Sequence, residues 1–244
     1  MCDVCEKRGP WKGWRDLPAS KPGRPLGEWV DLSHVVTANL SRSPAFPPPV
    51  IRKIVEMPRD NANVTDIHMV VHHGTHVDAP SHFFIDGPTM DQIPLERFHG
   101  AGVVWQIRKG PEAVIEVADL ERATPKVRPG DIVMLDTGWA EKVNTHAYED
   151  HASISREAAQ WLVDNGVKMV GVDFSTPDLS SHRRTKDYDF PAHVTLLGQG
   201  VLIAEHINNV AGLAGQRVEF MIPAIAIAGA DGGFARPMAR VVEA

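Results

Sequence analysis

Cysteine is almost missing from this chain. It occurs twice in 244 residues, as Cys2 and Cys5, both at one end. The disulfide framework of a small secreted domain is therefore excluded, and a reducing compartment is expected. Elsewhere a Cys-x-x-Cys pair binds zinc or does redox chemistry. At a chain end, away from a strand–helix junction, this pair lacks the setting for either. An excess of positive charge is missing too: 25 Lys and Arg stand against 31 Asp and Glu, for a net charge of −6. That balance excludes the basic footprint of a nucleic-acid-binding protein. Long apolar runs are also absent. The longest, near Phe220 to Ala230, is too short to span a bilayer and contains Pro223. The N-terminus has no apolar stretch of the secretory kind. These absences lead us to expect a soluble, cytoplasmic protein without a nucleic-acid or membrane partner. No internal repeat, heptad or low-complexity block is visible.

What remains is an ordinary globular composition, 43% apolar and 23% charged, long enough to bury a core without staples. Residues 1–28 are rich in Gly, Pro, Lys and Arg and predict an irregular N-terminal arm, with Trp11 and Trp14 packing on a surface. Residues 29–244 then form one domain. Strands are expected at Trp29–Ser33, Val50–Glu56, Val64–Val71, Gly102–Arg108, Asp131–Asp136, Val167–Asp173, Val201–Ile207 and Val218–Ala228, the last broken by Pro223. Helices are expected at Glu116–Ala123 and after Ser155, a good N-cap, ending at Gly166. Residues 131–173 thus make a strand–helix–strand crossover. Ser175–Pro191 is a polar loop, Gly229–Gly233 a turn and Met238–Val242 an edge strand. The class is mixed α/β, compact and strand-rich.

The chemistry concentrates in residues 72–82, His-His-Gly-Thr-His-Val-Asp-Ala-Pro-Ser-His. Histidine and carboxylate are the usual ligands of zinc or manganese, and so many imidazoles in a plain core would each need a polar partner. Gly74 and Pro80 argue against a helix here. A tight turn at Gly74 brings His72 near His76, and an extended backbone points His76 and Asp78 to the same side. His72, His76 and Asp78 can thus meet on one ion. His82 is either a fourth ligand or a free general base. His68 and His73 are better read as packed or surface residues. Glu205 stands in an apolar strand and needs a cation, either a metal or a salt-bridge partner. Phe46, Phe83, Phe84 and Trp139 are candidate walls for a substrate, or simply core.

The pattern His72-x-Gly74-Thr75-His76-x-Asp78-x-Pro80-x-His82 resembles the signature of the cyclase-like metal-dependent hydrolases, a family that includes bacterial kynurenine formamidase and isatin hydrolase. Asp31-Leu32-Ser33, Gly171-Val172-Asp173, Ala192-His193, Ile203-Ala204-Glu205 and Asp231-Gly232-Gly233 extend the resemblance over roughly residues 29–242. It implies a fold of the swivelling β/β/α type and a homo-oligomer. It implies one or two ions per chain, Zn2+ or Mn2+. His72, His76 and Asp78 would hold the first, with Asp78 bridging to a second held by His193 and Glu205. It makes His82 the proton-transferring residue. The implied activity is hydrolysis of a small-molecule amide, either an aryl formamide such as N-formylkynurenine or a cyclic amide such as isatin. Two rivals remain: a lyase or cyclase on the same metal scaffold, and a non-catalytic metabolite-binding module.

Overall fold

A computed structural model describes residues 8–243; Cys2 and Cys5 lie outside them. The strands are β1 (Val30–Asp31), β2 (Val50–Val55), β3 (Val64–His68), β4 (His76–Asp78), β5 (His99–Gln106), β6 (Val114–Ile115), β7 (Ile132–Asp136), β8 (Ser153–Ile154), β9 (Met169–Val172), β10 (Leu202–Glu205), β11 (Arg217–Met221), β12 (Gly232–Phe234) and β13 (Met238–Val241). The helices are α1 (Val117–Arg122), α2 (Arg156–Asp164) and α3 (Pro191–Gly198). This is the strand-rich mixed α/β class expected.

Nine strands form one sheet in the order β1-β13-β11-β5-β7-β9-β10-β4-β12. The central four, β5, β7, β9 and β10, run parallel. Antiparallel pairs extend the sheet on both sides. Every residue of β7, β9 and β10 is buried. Their near-continuous apolar sequences are those of parallel strands covered on both faces. Alternation along the strands sorts the core into two halves. Val133, Leu135, Val170 and Val172 pack with Leu162 of α2 and Leu196 and Leu197 of α3. Ile132, Met134, Met169 and Leu202 pack on the other side with Val77, Phe220 and Ile222. Each such fully buried side chain contributes about 1.5–3 kcal/mol.

The crossover β7–α2–β9 forms as expected, with the Ser155 hydroxyl accepting a hydrogen bond from the Ala158 N–H at 3.1 Å. Gly166, at φ +74°, takes the left-handed turn that ends α2. Residues 8–28 run along the body: the Trp11 indole N–H donates to the Leu197 carbonyl at 3.0 Å, and the Arg97 guanidinium covers Trp14.

One helix carried no sequence signal, and two expectations are corrected. Residues 191–198 form α3, which we did not expect; the segment is apolar almost all round, so no helical stripe marks it. Gly232 and Gly233, assigned to a turn, begin strand β12. The reason is a close approach: a Cβ on Gly232 would lie 2.8 Å from Cε1 of His72. Finally, β13 is not an edge strand, because β1 pairs with its outer side. Among the described residues, no helix is long and apolar enough to cross a membrane.

Candidate metal centre

Strand β4 carries the middle of the histidine motif into the sheet between β10 and β12. Its register pairs His76 with Glu205. Directly paired residues project to the same face, so this pairing sets the Glu205 carboxylate beside His76 and, two residues on, Asp78. Gly74, at φ +63°, makes the turn that folds His72 back over them. Helix α3 delivers His193 from the other side. His72, His76 and Asp78 form one ligand group, and Asp78, His193 and Glu205 form another; both are buried and they share Asp78.

The three histidines are held in one manner. Each has one ring nitrogen tied to an oxygen outside the ligand set and turns the other toward the shared carboxylates. His76 Nδ1 bonds to the Gly74 carbonyl at 2.8 Å. His193 Nδ1 bonds to Asp178 at 2.5 Å, and His72 Nε2 bonds to Asp231 at 2.9 Å. Their other nitrogens then face inward. His72 Nδ1 is 2.9 Å from Asp78 Oδ1. His76 Nε2 is 3.1 Å from Asp78 Oδ1 and 3.4 Å from Glu205 Oε2. His193 Nε2 is 3.2 Å from Glu205 Oε1 and 3.4 Å from Asp78 Oδ2. A carboxylate or carbonyl behind each imidazole is the usual support of a metal-binding histidine.

The donor set passes a direct test. His76 Nε2, Asp78 Oδ2 and Glu205 Oε1 are buried and without a hydrogen-bond partner. Buried polar atoms are rarely left so. Here the three belong to the two ligand groups that share Asp78, and unpaired polar atoms in such groups call for a cation. The electrostatics agree. Burial lowers the His72 pKa, but its bonds to Asp231 and Asp78 overcome this and raise it to about 10. Burial likewise opposes the charged form of His193, yet Asp178, Asp78 and Glu205 hold it well above its ordinary value. Burial would raise Asp78, but His193, His72 and His76 hold it well below the carboxylate range. The site is built to keep positive charge against carboxylates, in keeping with an N/O-liganded divalent ion.

His82 sits differently. It is 26% exposed, and its Nδ1 bonds to Asp231 Oδ2 at 2.8 Å. It stands at a cleft whose lining also includes His72, His193, Glu205, Phe46, Phe83 and Phe190. Phe83 stacks on the His193 ring with centroids 4.6 Å apart. Phe84 is a correction: it is 4% exposed and packs in the core, where its ring lies against Gly198. Trp139 is also core, donating its indole N–H to the Tyr148 carbonyl. His68 is exposed on β3, and His73 is buried beside Phe46.

Two anchors escaped sequence reasoning. Asp178 accepts the backbone N–H groups of Ala192 and His193 as well as the His193 ring, so one carboxylate both starts α3 and aims its histidine. Nothing marked it within a polar loop. Asp231 accepts from both His72 and His82 through a single oxygen; its only sign was its place in the closing turn.

Comparison with known proteins fits this geometry. A kynurenine formamidase from Bacillus cereus is 25% identical over 224 residues, covering 88% of this chain and 98% of that one. Among solved structures, an isatin hydrolase bound to the product analogue thioisatinate superposes with a TM-score of 0.79 at 19% identity, covering 88% of this chain and 93% of that one. Isatin hydrolase A from Ralstonia solanacearum gives 0.78 at 22% identity, covering 88% and 92%. At these identities the two structures establish a shared fold. The cyclase family model matches residues 30–179, from the first strand through the histidine motif to the Asp178 anchor. On that match over more than half its length, the chain belongs to the cyclase family.

Proposed function

We propose that the protein is a metal-dependent hydrolase that cleaves an amide, either an aryl formamide of the N-formylkynurenine type or a cyclic amide of the isatin type. One observation carries the reading: Asp78 is shared by two buried ligand groups, in which His76 Nε2, Asp78 Oδ2 and Glu205 Oε1 have no hydrogen-bond partner. His72, His76 and Asp78 would hold one zinc or manganese ion, and Asp78, His193 and Glu205 a second. Bound there, a divalent ion supplies Lewis acidity, polarising a carbonyl and making nearby water more acidic.

The chain's own residues supply the rest. Asp231 holds the His82 Nδ1 proton, which leaves Nε2 as the basic nitrogen facing the cleft. His82 takes the proton of the attacking water and returns it to the leaving nitrogen. Phe46, Phe83 and Phe190 give the cleft flat apolar walls that suit an aromatic amide. The names of the formamidase and isatin hydrolase relatives support the same class.

The test is metal analysis by mass spectrometry with parallel hydrolysis assays on N-formylkynurenine and isatin. Wild type is expected to hold one or two ions per chain, with loss of metal in His72→Ala and Glu205→Ala. His82→Ala should keep its metal and lose turnover. A protein that binds neither ion, and gains no activity when either is added, would overturn the reading.

A further inference from the structure

We propose that Tyr148 locks His206 in the tautomer that carries its proton on Nε2, and that this N–H donates to the carbonyl oxygen of the substrate in the metal-centre cleft. The donor role rests on the amide hydrolase reading above.

Glu205 ends β10, and an extended chain would send residue 206 to the opposite face of the sheet. His206 instead has φ +54°, a left-handed conformation that non-glycine residues seldom adopt. It is held there from both sides. The Thr75 hydroxyl donates to the His206 carbonyl at 2.7 Å, and the His206 N–H donates to the Phe174 carbonyl at 3.0 Å. The consequence is that Glu205 and His206, though adjacent, line the same cleft. Phe190, which precedes α3, also has positive φ and lines it too. Such conformations persist where the surroundings enforce them, often at functional sites.

The ring is fixed as firmly as the backbone. Tyr148 is fully buried and stacks on it, with centroids 5.6 Å apart and planes inclined by 28°. The Tyr148 oxygen lies 2.9 Å from His206 Nδ1. Trp139 in turn pins the Tyr148 carbonyl at 3.0 Å. The buried Tyr148 hydroxyl has no other partner among the described residues, so its proton goes to Nδ1, which accepts. A neutral imidazole that accepts at Nδ1 carries its one proton at Nε2. Among the described residues, no protein group bonds to that nitrogen, although the residue is only 2% exposed. A fixed donor in an enclosed cleft suits the oxygen on which charge grows during attack at a carbonyl. The proton stays on Nε2 throughout, and only the hydrogen bond tightens.

The direct test is nitrogen-15 NMR on zinc-loaded, histidine-labelled protein, with the His206 signal assigned by its loss in His206→Asn. We expect a proton on Nε2 and none on Nδ1. Saturation with isatin should shift the Nε2–H resonance. Tyr148→Phe should spread the proton over both nitrogens without changing metal content. In kinetic assays, His206→Leu should lower kcat by about 10²- to 10³-fold, the usual effect of losing an oxyanion donor. Tyr148→Phe should lower it less, with KM little changed. A proton on Nδ1 in the wild type would overturn the lock. An Nε2 resonance that isatin leaves unmoved, or a His206→Leu protein with wild-type kcat, would overturn the donor role. Failure of wild type to hydrolyse either amide would count against the hydrolase reading, while the resonance still decides the His206 assignment.

Discussion

Asp231 joins the two functions of the site, and replacing it with asparagine separates them. One oxygen accepts from His72 at 2.9 Å and from His82 at 2.8 Å. These bonds hold the carboxyl well below its ordinary range. Asparagine keeps the shape and removes the charge. A charged hydrogen bond contributes about 1.5–3 kcal/mol and a neutral one about 0.5–1.5, so two such bonds lose roughly 2–3 kcal/mol. The Asp231 side chain is 46% exposed, and solvent screening reduces that figure. A ten- to hundredfold loss is therefore expected, the range typical of groups that orient metal ligands. Competition with a chelator reads metal affinity, and steady-state kinetics read kcat. If Asp231 acts mainly through His72, affinity falls; if through His82, kcat falls while metal is retained. Asp231→Asn with both quantities unchanged would refute the anchoring role.

Three further outcomes are expected. Arg217 makes two bonds, at 2.7 and 2.8 Å, to Asp131, and both residues are buried. Asp131→Ala strands the guanidinium at a cost of about 3–5 kcal/mol, which for this size lowers Tm by roughly 6–20 °C; a shift below 3 °C would show that water reaches Arg217. His151 is stacked on Phe174, and its burial lowers its pKa to about 4. As pH falls below 6.5 the unfolded chain takes up the proton first, so this residue withdraws stability between pH 6.5 and 4, at most about 3 kcal/mol. Denaturant titrations should show a flatter pH dependence in His151→Leu. Stripping divalent ions with a chelator should lower Tm, by the equivalent of about 2.7 kcal/mol where the ion had stood at a hundred times its Kd. Asp78→Asn should be insensitive to the chelator.

The central sheet was legible because its signals are local and strong. The apolar runs of β7, β9 and β10 and the Ser155 cap sit where sequence reasoning placed them. The histidine motif was legible because the turn at Gly74 and the alternation of His76 and Asp78 act within seven residues. Other parts depended on contacts remote in sequence. Helix α3 has neither an amphipathic stripe nor its own capping side chain, and its first N–H groups are met by Asp178, more than ten residues earlier. Gly232 looked like a turn because the His72 ring that requires a glycine there comes from the other end of the chain. Residues 72–82 showed no sign that Asp231 would hold both His72 and His82.

The pairing of β1 with β13 sets a timetable for the newborn chain. Val30 pairs with Ala239, so the first strand waits for about two hundred further residues to leave the ribosome, on the order of 10–40 s at ordinary rates of synthesis. The histidine motif waits nearly as long, since β4 needs β10 on one side and β12 on the other. During that interval His72, His76, Asp78 and His82 emerge ahead of Glu205 and Asp231, the carboxylates that will complete their surroundings. Metal capture in the final geometry therefore belongs to the last stage of manufacture, and a truncated translation product would carry the motif without the centre.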